Sequence, residues 1–293
     1  MQKIILFYKF TPLKDPEVVK LWQKNLCESL GLRGRVIVAT QGINGTLGGD
    51  IKDLKAYIRQ TKLHPGLKDI VFKWSDGKRE DFPRLSVKVR PELVAFNAAD
   101  KIKVDSKGVV GGGQHLKPEQ LHELMDKHNG EVVFVDGRNA WEASIGKFKN
   151  ALVMDVEHSR DFPEAIADPK YDSLKDKPVV TYCTGGIRCE VLSKLMKDEG
   201  FKDVYQLDGG IVKYLEAYGD DGLWEGSLFV FDERMSLNAS DHTRIIGECT
   251  HCQNKTSNYV NCANKACNKL LLACESCAGD EFYCRICQPE LVS

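Results

Sequence analysis

Hydrophobic positions fall into two regimes along the chain. In the first third, short β-rich runs alternate with segments of helical period. The run Ile4, Ile5, Leu6, Phe7 and Tyr8 predicts a first strand. Asp15 and Pro16 then supply a capping carboxylate and a first-turn proline, and Val18, Val19, Trp22, Leu26 and Leu30 recur on one helical face. Residues 35–39 predict a strand, and 42–46 a tight connection to the next. A second helix follows Asp50, with Ile51, Leu54, Tyr57 and Ile58 inward, and 70–74 and 85–89 are again β-rich. The order strand, helix, strand, strand, helix, strand predicts a ferredoxin-like α+β domain over residues 1–95.

From residue 131 the texture changes to short apolar runs separated by helical stretches. Residues 132–135, 151–154, 179–182 and 204–207 predict buried parallel strands, with helical segments around 138–144, 161–167, 187–199 and 210–218. This alternation predicts an α/β domain with a parallel sheet over 115–222, helices on both faces. Between the domains, 96–114 reads as a linker with a glycine-rich centre at 108–114. No Gly-Lys-Ser/Thr ends that stretch, so it is not a phosphate-binding P-loop. A helix is expected to start within 116–121 and end near Asn129 and Gly130. Residues 223–247 form a connecting segment ahead of a small cysteine-rich module, 248–293.

Composition sharpens the picture in two places. The net charge of −1 hides an asymmetry: residues 1–95 carry a net +8 and the remainder −9. A basic domain on a near-neutral chain fits a polyanionic partner, and Arg33, Arg35, Lys73, Lys78, Arg79, Arg84, Lys88 and Arg90 are the candidates. No apolar run approaches the length of a membrane span and the N-terminus has no signal-peptide pattern, so a cytoplasmic protein with reduced thiols is expected. The 11 cysteines are unevenly distributed: eight lie between Cys249 and Cys287, leaving Cys27, Cys183 and Cys189.

Cys27 falls inside the first predicted helix, as a small core residue. Cys183 ends a predicted central strand and is followed by Thr184, Gly185, Gly186, Ile187 and Arg188 before a helix. Ligands of open α/β sheets collect at such strand ends. The glycine pair lets successive N–H groups turn inward; with the helix start and Arg188 they favour a thiolate, or an anion attached to the sulfur. The Cys-x4-Arg loop is one residue shorter than the phosphate-wrapping loops of cysteine phosphatases, which suits a smaller terminal atom such as a persulfide sulfur. Cys189 is expected in the core of the following helix.

The eight tail cysteines form four pairs: Cys249 with Cys252, Cys262 with Cys267, Cys274 with Cys277, and Cys284 with Cys287. Short Cys-x2-Cys turns offer two thiolates to one tetrahedral metal, so two structural four-cysteine zinc sites are expected. Their binding energy would fold a segment with little core of its own. Spacing leaves sequential and interleaved pairing equally open.

Residues 115–220 resemble a rhodanese domain. The cues are the 135–139 stretch with Asp136 and Arg138, the 145–151 stretch, the Cys183 loop and 204–211, with Gly137 and Lys147 departing from the usual pattern. The resemblance implies Cys183 as the sulfur-carrying thiol, with Asp136 and Arg138 as supports. Together with the basic N-terminal domain, the eight-residue loop 183–190 and the 229–234 run, the chain is similar to the rhodanese-domain tRNA uridine hydroxylases. That similarity implies a tRNA anticodon loop as partner, oxygen-dependent conversion of the wobble uridine to 5-hydroxyuridine, and dioxygen as co-substrate. No flavin, haem or nucleotide site is read in the sequence. Two other readings stand beside it: a sulfurtransferase passing sulfane sulfur from Cys183 to a small thiol or partner protein, with a sulfur donor upstream, and a non-catalytic adaptor. Oligomeric state is left open.

Overall fold

The computed structural model describes residues 1–279 and 281–288. The basic domain is a five-stranded sheet with two helices on one face. Its elements are β1 (Gln2–Phe10), α1 (Pro16–Ser29), β2 (Arg33–Ala39), β3 (Gly42–Asp50), α2 (Ile51–Thr61), β4 (Val71–Ser75) and β5 (Leu85–Val89), in sheet order β4-β1-β3-β2-β5. The first four strands form the antiparallel ferredoxin-like sheet; β5 adds a parallel edge beside β2. Asp15 caps α1 by accepting from the N–H groups of Glu17 and Val18 at 3.0 and 3.1 Å. Cys27 packs under the sheet with Ile5, Phe7, Val36, Leu47 and Tyr57, and burial pushes its thiol up to about 12, an inert core group.

Alternation sends every second residue to the face the helices leave open. Lys73 pairs with Leu6, Leu6 with Thr46, Thr46 with Arg35, and Arg35 with Ser86, so one row across four strand pairings carries a cation near each end. The neighbouring row holds Val71, Tyr8, Asn44 and Ile37.

A short hairpin, β6 (Val104–Asp105) and β7 (Gly108–Val109), leads into the second sheet. This sheet is built from β8 (Gln114–Leu116), β9 (Val133–Asp136), β11 (Leu152–Val153), β12 (Val179–Tyr182) and β13 (Val204–Leu207), all parallel, in the order β11-β9-β12-β13-β8. Helices α3 (Pro118–Lys127), α4 (Ala140–Ala143), α5 (Phe162–Ile166), α6 (Ile187–Asp198) and α7 (Gly210–Tyr218) connect and cover it, and β10 (Gly146–Phe148) pairs with β14 (Trp224–Gly226) outside it. Strand β8 is not among the predicted ones. It is three residues long and lies where the glycine-rich linker was expected to pass into a helix. The connecting stretch is packed. Phe96, Ala98 and Ile102 are buried in one core cluster with Phe10 and Ala39 of the first sheet, Val135 and Val179 of the second, and Leu192 of α6. Gly113 donates to Ser193 Oγ at 2.8 Å, and its carbonyl accepts from Gln206 Nε2 at 3.0 Å. Residues 96–114 therefore join the two sheets into one packed body.

The connecting segment contains β15 (Leu228–Phe229) and β16 (Ser236–Leu237), and the cysteine-rich module adds β17 (Tyr259–Asn261) paired with β18 (Leu270–Leu272). Tyr259 seats this module on the rhodanese-like unit: its hydroxyl donates to the Trp141 carbonyl and lies 2.9 Å from Ser144 Oγ.

Candidate active site

Strand β12 ends at Tyr182, and the loop from Cys183 to Gly186 turns the chain into α6. Gly186 caps that helix with φ 99°, and Gly210 at the start of α7 has φ 68°. A Cβ on Gly210 would sit 2.4 Å from the Cys183 carbonyl oxygen, and one on Gly186 would sit 2.9 Å from the Tyr8 hydroxyl. Both positions require glycine, for the left-handed backbone and for the close approach. The turn aims the Gly186 N–H at Cys183 Sγ, 3.2 Å away.

Cys183 is buried at the floor of a cleft of about 920 Å³. Burial alone would push its thiol up. The Cys189 thiol, the Arg188 guanidinium and the backbone N–H groups of Cys189 and Arg188 outweigh that and hold it at about 5. Cys189 does lie in the helix core, as expected, and burial and the neighbouring Cys183 charge keep its own proton on.

Arg188 is not free to face the sulfur alone. Its Nη1 and Nη2 donate to Glu142 Oε1 and Oε2 at 2.5 and 2.9 Å, and Nη2 reaches Thr184 Oγ1 at 3.3 Å. Behind this pair lies a second one. Arg138 is wholly buried and donates to Asp136 through Nε at 2.9 Å and Nη2 at 2.6 Å, and to the Gly146 carbonyl at 2.7 Å. Thus Asp136 and Arg138 support the frame that carries Glu142 and stay out of the cleft.

The opposite wall is the open face of the first sheet. Leu6, Tyr8, Asn44, Thr46, Arg35 and Lys73 all line the cleft. Lys73 reaches across it: Nζ donates to the Gly185 carbonyl and, at 3.2 Å, to the Gly209 carbonyl. Burial lowers its pKa, opposed by the nearby Cys183 and Asp208. The Tyr8 hydroxyl donates to Glu190 Oε1 at 3.2 Å. Of the eight cationic candidates, only Lys73 and Arg35 line this cleft among the described residues. The roles of Tyr8 and Glu142 escaped sequence reasoning because their partners are 182 and 46 positions away.

The tail cysteines gather into two clusters, Cys249, Cys252, Cys274 and Cys277 in one and Cys262, Cys267, Cys284 and Cys287 in the other, with the sulfurs of each within 4.8 Å of one another. The pairs therefore interleave, first with third and second with fourth. Four thiolates about 2.3 Å from a central zinc would stand about 3.8 Å apart at tetrahedral angles. Cys252 to Cys274 at 3.5 Å and Cys267 to Cys284 at 3.8 Å fit that cage. His251 stacks on Phe282 and belongs to neither cluster.

Three family models cover the chain: the UPF0176 acylphosphatase-like domain at residues 2–93, the rhodanese-like domain at 117–217 and the rhodanase C-terminal region at 225–290. A protein of Corynebacterium kroppenstedtii named tRNA uridine(34) hydroxylase is 58% identical over 100% of this chain and 99% of its own length. Proteins of the same name from Corynebacterium glutamicum and Arthrobacter sp. are both 59% identical. They cover 94% and 95% of this chain and 88% and 95% of their own lengths. The solution structure of the rhodanese-like domain of the Anabaena sp. Alr3790 protein is 17% identical and covers 48% of this chain and 98% of its own. Its TM-score of 0.32 is too low to add to the family models.

Proposed function

The chain belongs to the tRNA uridine(34) hydroxylase family, and we propose that it hydroxylates C5 of the wobble uridine of tRNA with Cys183 as its nucleophile. The observation that carries this reading is the meeting of a stabilised thiolate with a cationic sheet face across one cleft, in a chain matched end to end by proteins of that name. The anticodon loop is single-stranded, so its bases are reachable without opening a duplex. Lys73 and Arg35 supply positive charge along the wall where a phosphate backbone would run.

The chain's own residues supply the nucleophile and its protonation state. Addition of the Cys183 thiolate to C6 places electron density on C5, which takes one atom of dioxygen while a two-electron reductant and two protons carry the other away as water. Loss of the C5 proton and departure of the thiolate then restore the ring. A persulfide on Cys183 would occupy the same cradle of inward N–H groups. Arg188, fixed by Glu142, keeps the sulfur anionic, and Lys73 ties the carbonyls of Gly185 and Gly209 across the cleft.

In the tail, zinc is the metal that eight thiolates in two closed cages favour, and with no open position its role is to fold the module. The units 1–95, 115–222 and 248–293 act as the RNA wall, the thiol domain and a metal-folded buttress, joined by 96–114 and 223–247. A cytoplasmic setting with reduced thiols accords with this chemistry, and no helix among the described residues is long and apolar enough to cross a membrane.

Nucleoside analysis of tRNA from a deletion strain tests the reading. The wild-type gene restores 5-hydroxyuridine derivatives and Cys183→Ser does not. Restoration by Cys183→Ser would remove the thiol from the reaction.

A further inference from the structure

The 229–234 run, singled out in the sequence, has no part in the chemistry above, yet the fold fixes it at the cleft. Arg234 donates to Asp232 through Nε at 2.7 Å and Nη2 at 2.6 Å, and its Nη1 donates to the Asp76 carbonyl of the basic domain. The Glu233 N–H donates to the Asp81 carbonyl at 3.0 Å. The segment is thus tied across to residues 76–81, on the far side of the interface from its own strand β15.

Just ahead of these ties stands Phe231. Phe229, its neighbour two residues back, is buried, whereas Phe231 is 48% exposed and lines the same cleft as Cys183, Thr184 and Arg188. Its ring is braced by edge contacts, 5.1 Å from Phe229 at 81° and 6.1 Å from Trp141 at 80°. The Arg188 guanidinium carbon sits 5.7 Å from its centroid. A lone exposed phenylalanine on a convex surface needs no explanation. This one is inside a concave site, held by an aromatic cluster and a clamped backbone, beside the residue that tunes the nucleophile. Aromatic rings so placed bind unpaired bases by stacking, and every base offers a π-face.

We propose that Phe231 is the stacking platform for the target pyrimidine, presenting an unpaired base of single-stranded RNA to the Cys183 loop. The proposal rests on the tRNA reading and names the residue that receives the base. Stacking comes from the ring, not from charge, so its contribution depends on the base and not on the phosphates.

The test compares two anticodon stem-loop RNAs, one with uridine at position 34 and one abasic there, bound to the full chain. The wild type binds the uridine RNA more tightly by roughly 5- to 150-fold. Phe231→Ala loses that preference by weakening the uridine RNA alone, and Phe231→Tyr keeps it. Equal weakening of both RNAs by Phe231→Ala, or no weakening of either, overturns the platform. Wild-type binding to both RNAs without preference overturns the platform and leaves the tRNA reading standing. Wild-type binding to neither RNA overturns both.

Discussion

Glu142 holds Arg188 through both of its carboxylate oxygens, at 2.5 and 2.9 Å, beneath the loop that carries Cys183. The carboxylate is wholly buried and the guanidinium nearly so, which makes the pair a constraint on position. One end of the guanidinium is spent on Glu142, and the remaining field acts on the sulfur and on Thr184. The cation invoked from the sequence is therefore shared with a carboxylate, and the Cys189 thiol and the loop N–H groups also hold the thiolate.

Removing one member of such a pair leaves a buried charge without its partner. Glu142→Gln should destabilise the fold by about 3–5 kcal/mol, read as a lowered denaturant midpoint. A variant with wild-type stability would show that solvent reaches Arg188 and that the pair is dispensable.

Lys73 belongs to the other domain, yet its ammonium ties the Gly185 and Gly209 carbonyls and lies within reach of the Cys183 charge. Replacing it with methionine removes a cation that favours the thiolate. The Cys183 titration in Lys73→Met should move upward from its wild-type position. An unchanged titration would mean that the basic domain does not contribute to the electrostatics of the thiol.

Arg35 stands one strand in from the end of the cleft-facing row, beside Ser86, and has no ion-pair partner among the described residues. Each phosphate contact to a single strand contributes about 0.7 to the slope of log K against log salt concentration. Arg35→Ala should flatten that slope by about this amount for anticodon stem-loop binding. An identical slope would place the backbone elsewhere.

The interleaved clusters tie the two ends of the cysteine-rich module together, so metal loss should release the whole module. Chelation should liberate two equivalents of zinc and expose the chain beyond about residue 247 to protease, while the two larger sheets stay protected. A module that resists protease after both metals are gone would contradict the folding role.

The thiol loop was legible because strand, cysteine, glycines and arginine are contiguous, and the eight cysteines because metal turns have fixed short spacings. The ferredoxin-like order also shows in hydrophobic periodicity, since α1 and α2 are long enough to display a face. Strand β8 is too short for any period to appear, and Phe96, Ala98 and Ile102 look like scattered apolar residues in a loop until two domains close over them. The roles of Glu142 and Tyr8 were invisible for a related reason, each acting through a partner brought near only by tertiary folding, and the 229–234 run gave no sign of where Phe231 would stand. Which cysteine pairs gather into one cluster was likewise a question of topology, settled only by the fold around the β17–β18 hairpin.

The central claim is that Cys183 is a thiolate at neutral pH inside the folded protein. Its alkylation by iodoacetamide, followed at the Cys183 peptide by mass spectrometry across pH, measures this directly. The thiolate form is lost as pH falls through the folded-state value. The rate should therefore be half-maximal near about 5 and flat from neutral pH upward. A half-maximum near the ordinary thiol value of about 8.5 would contradict the account.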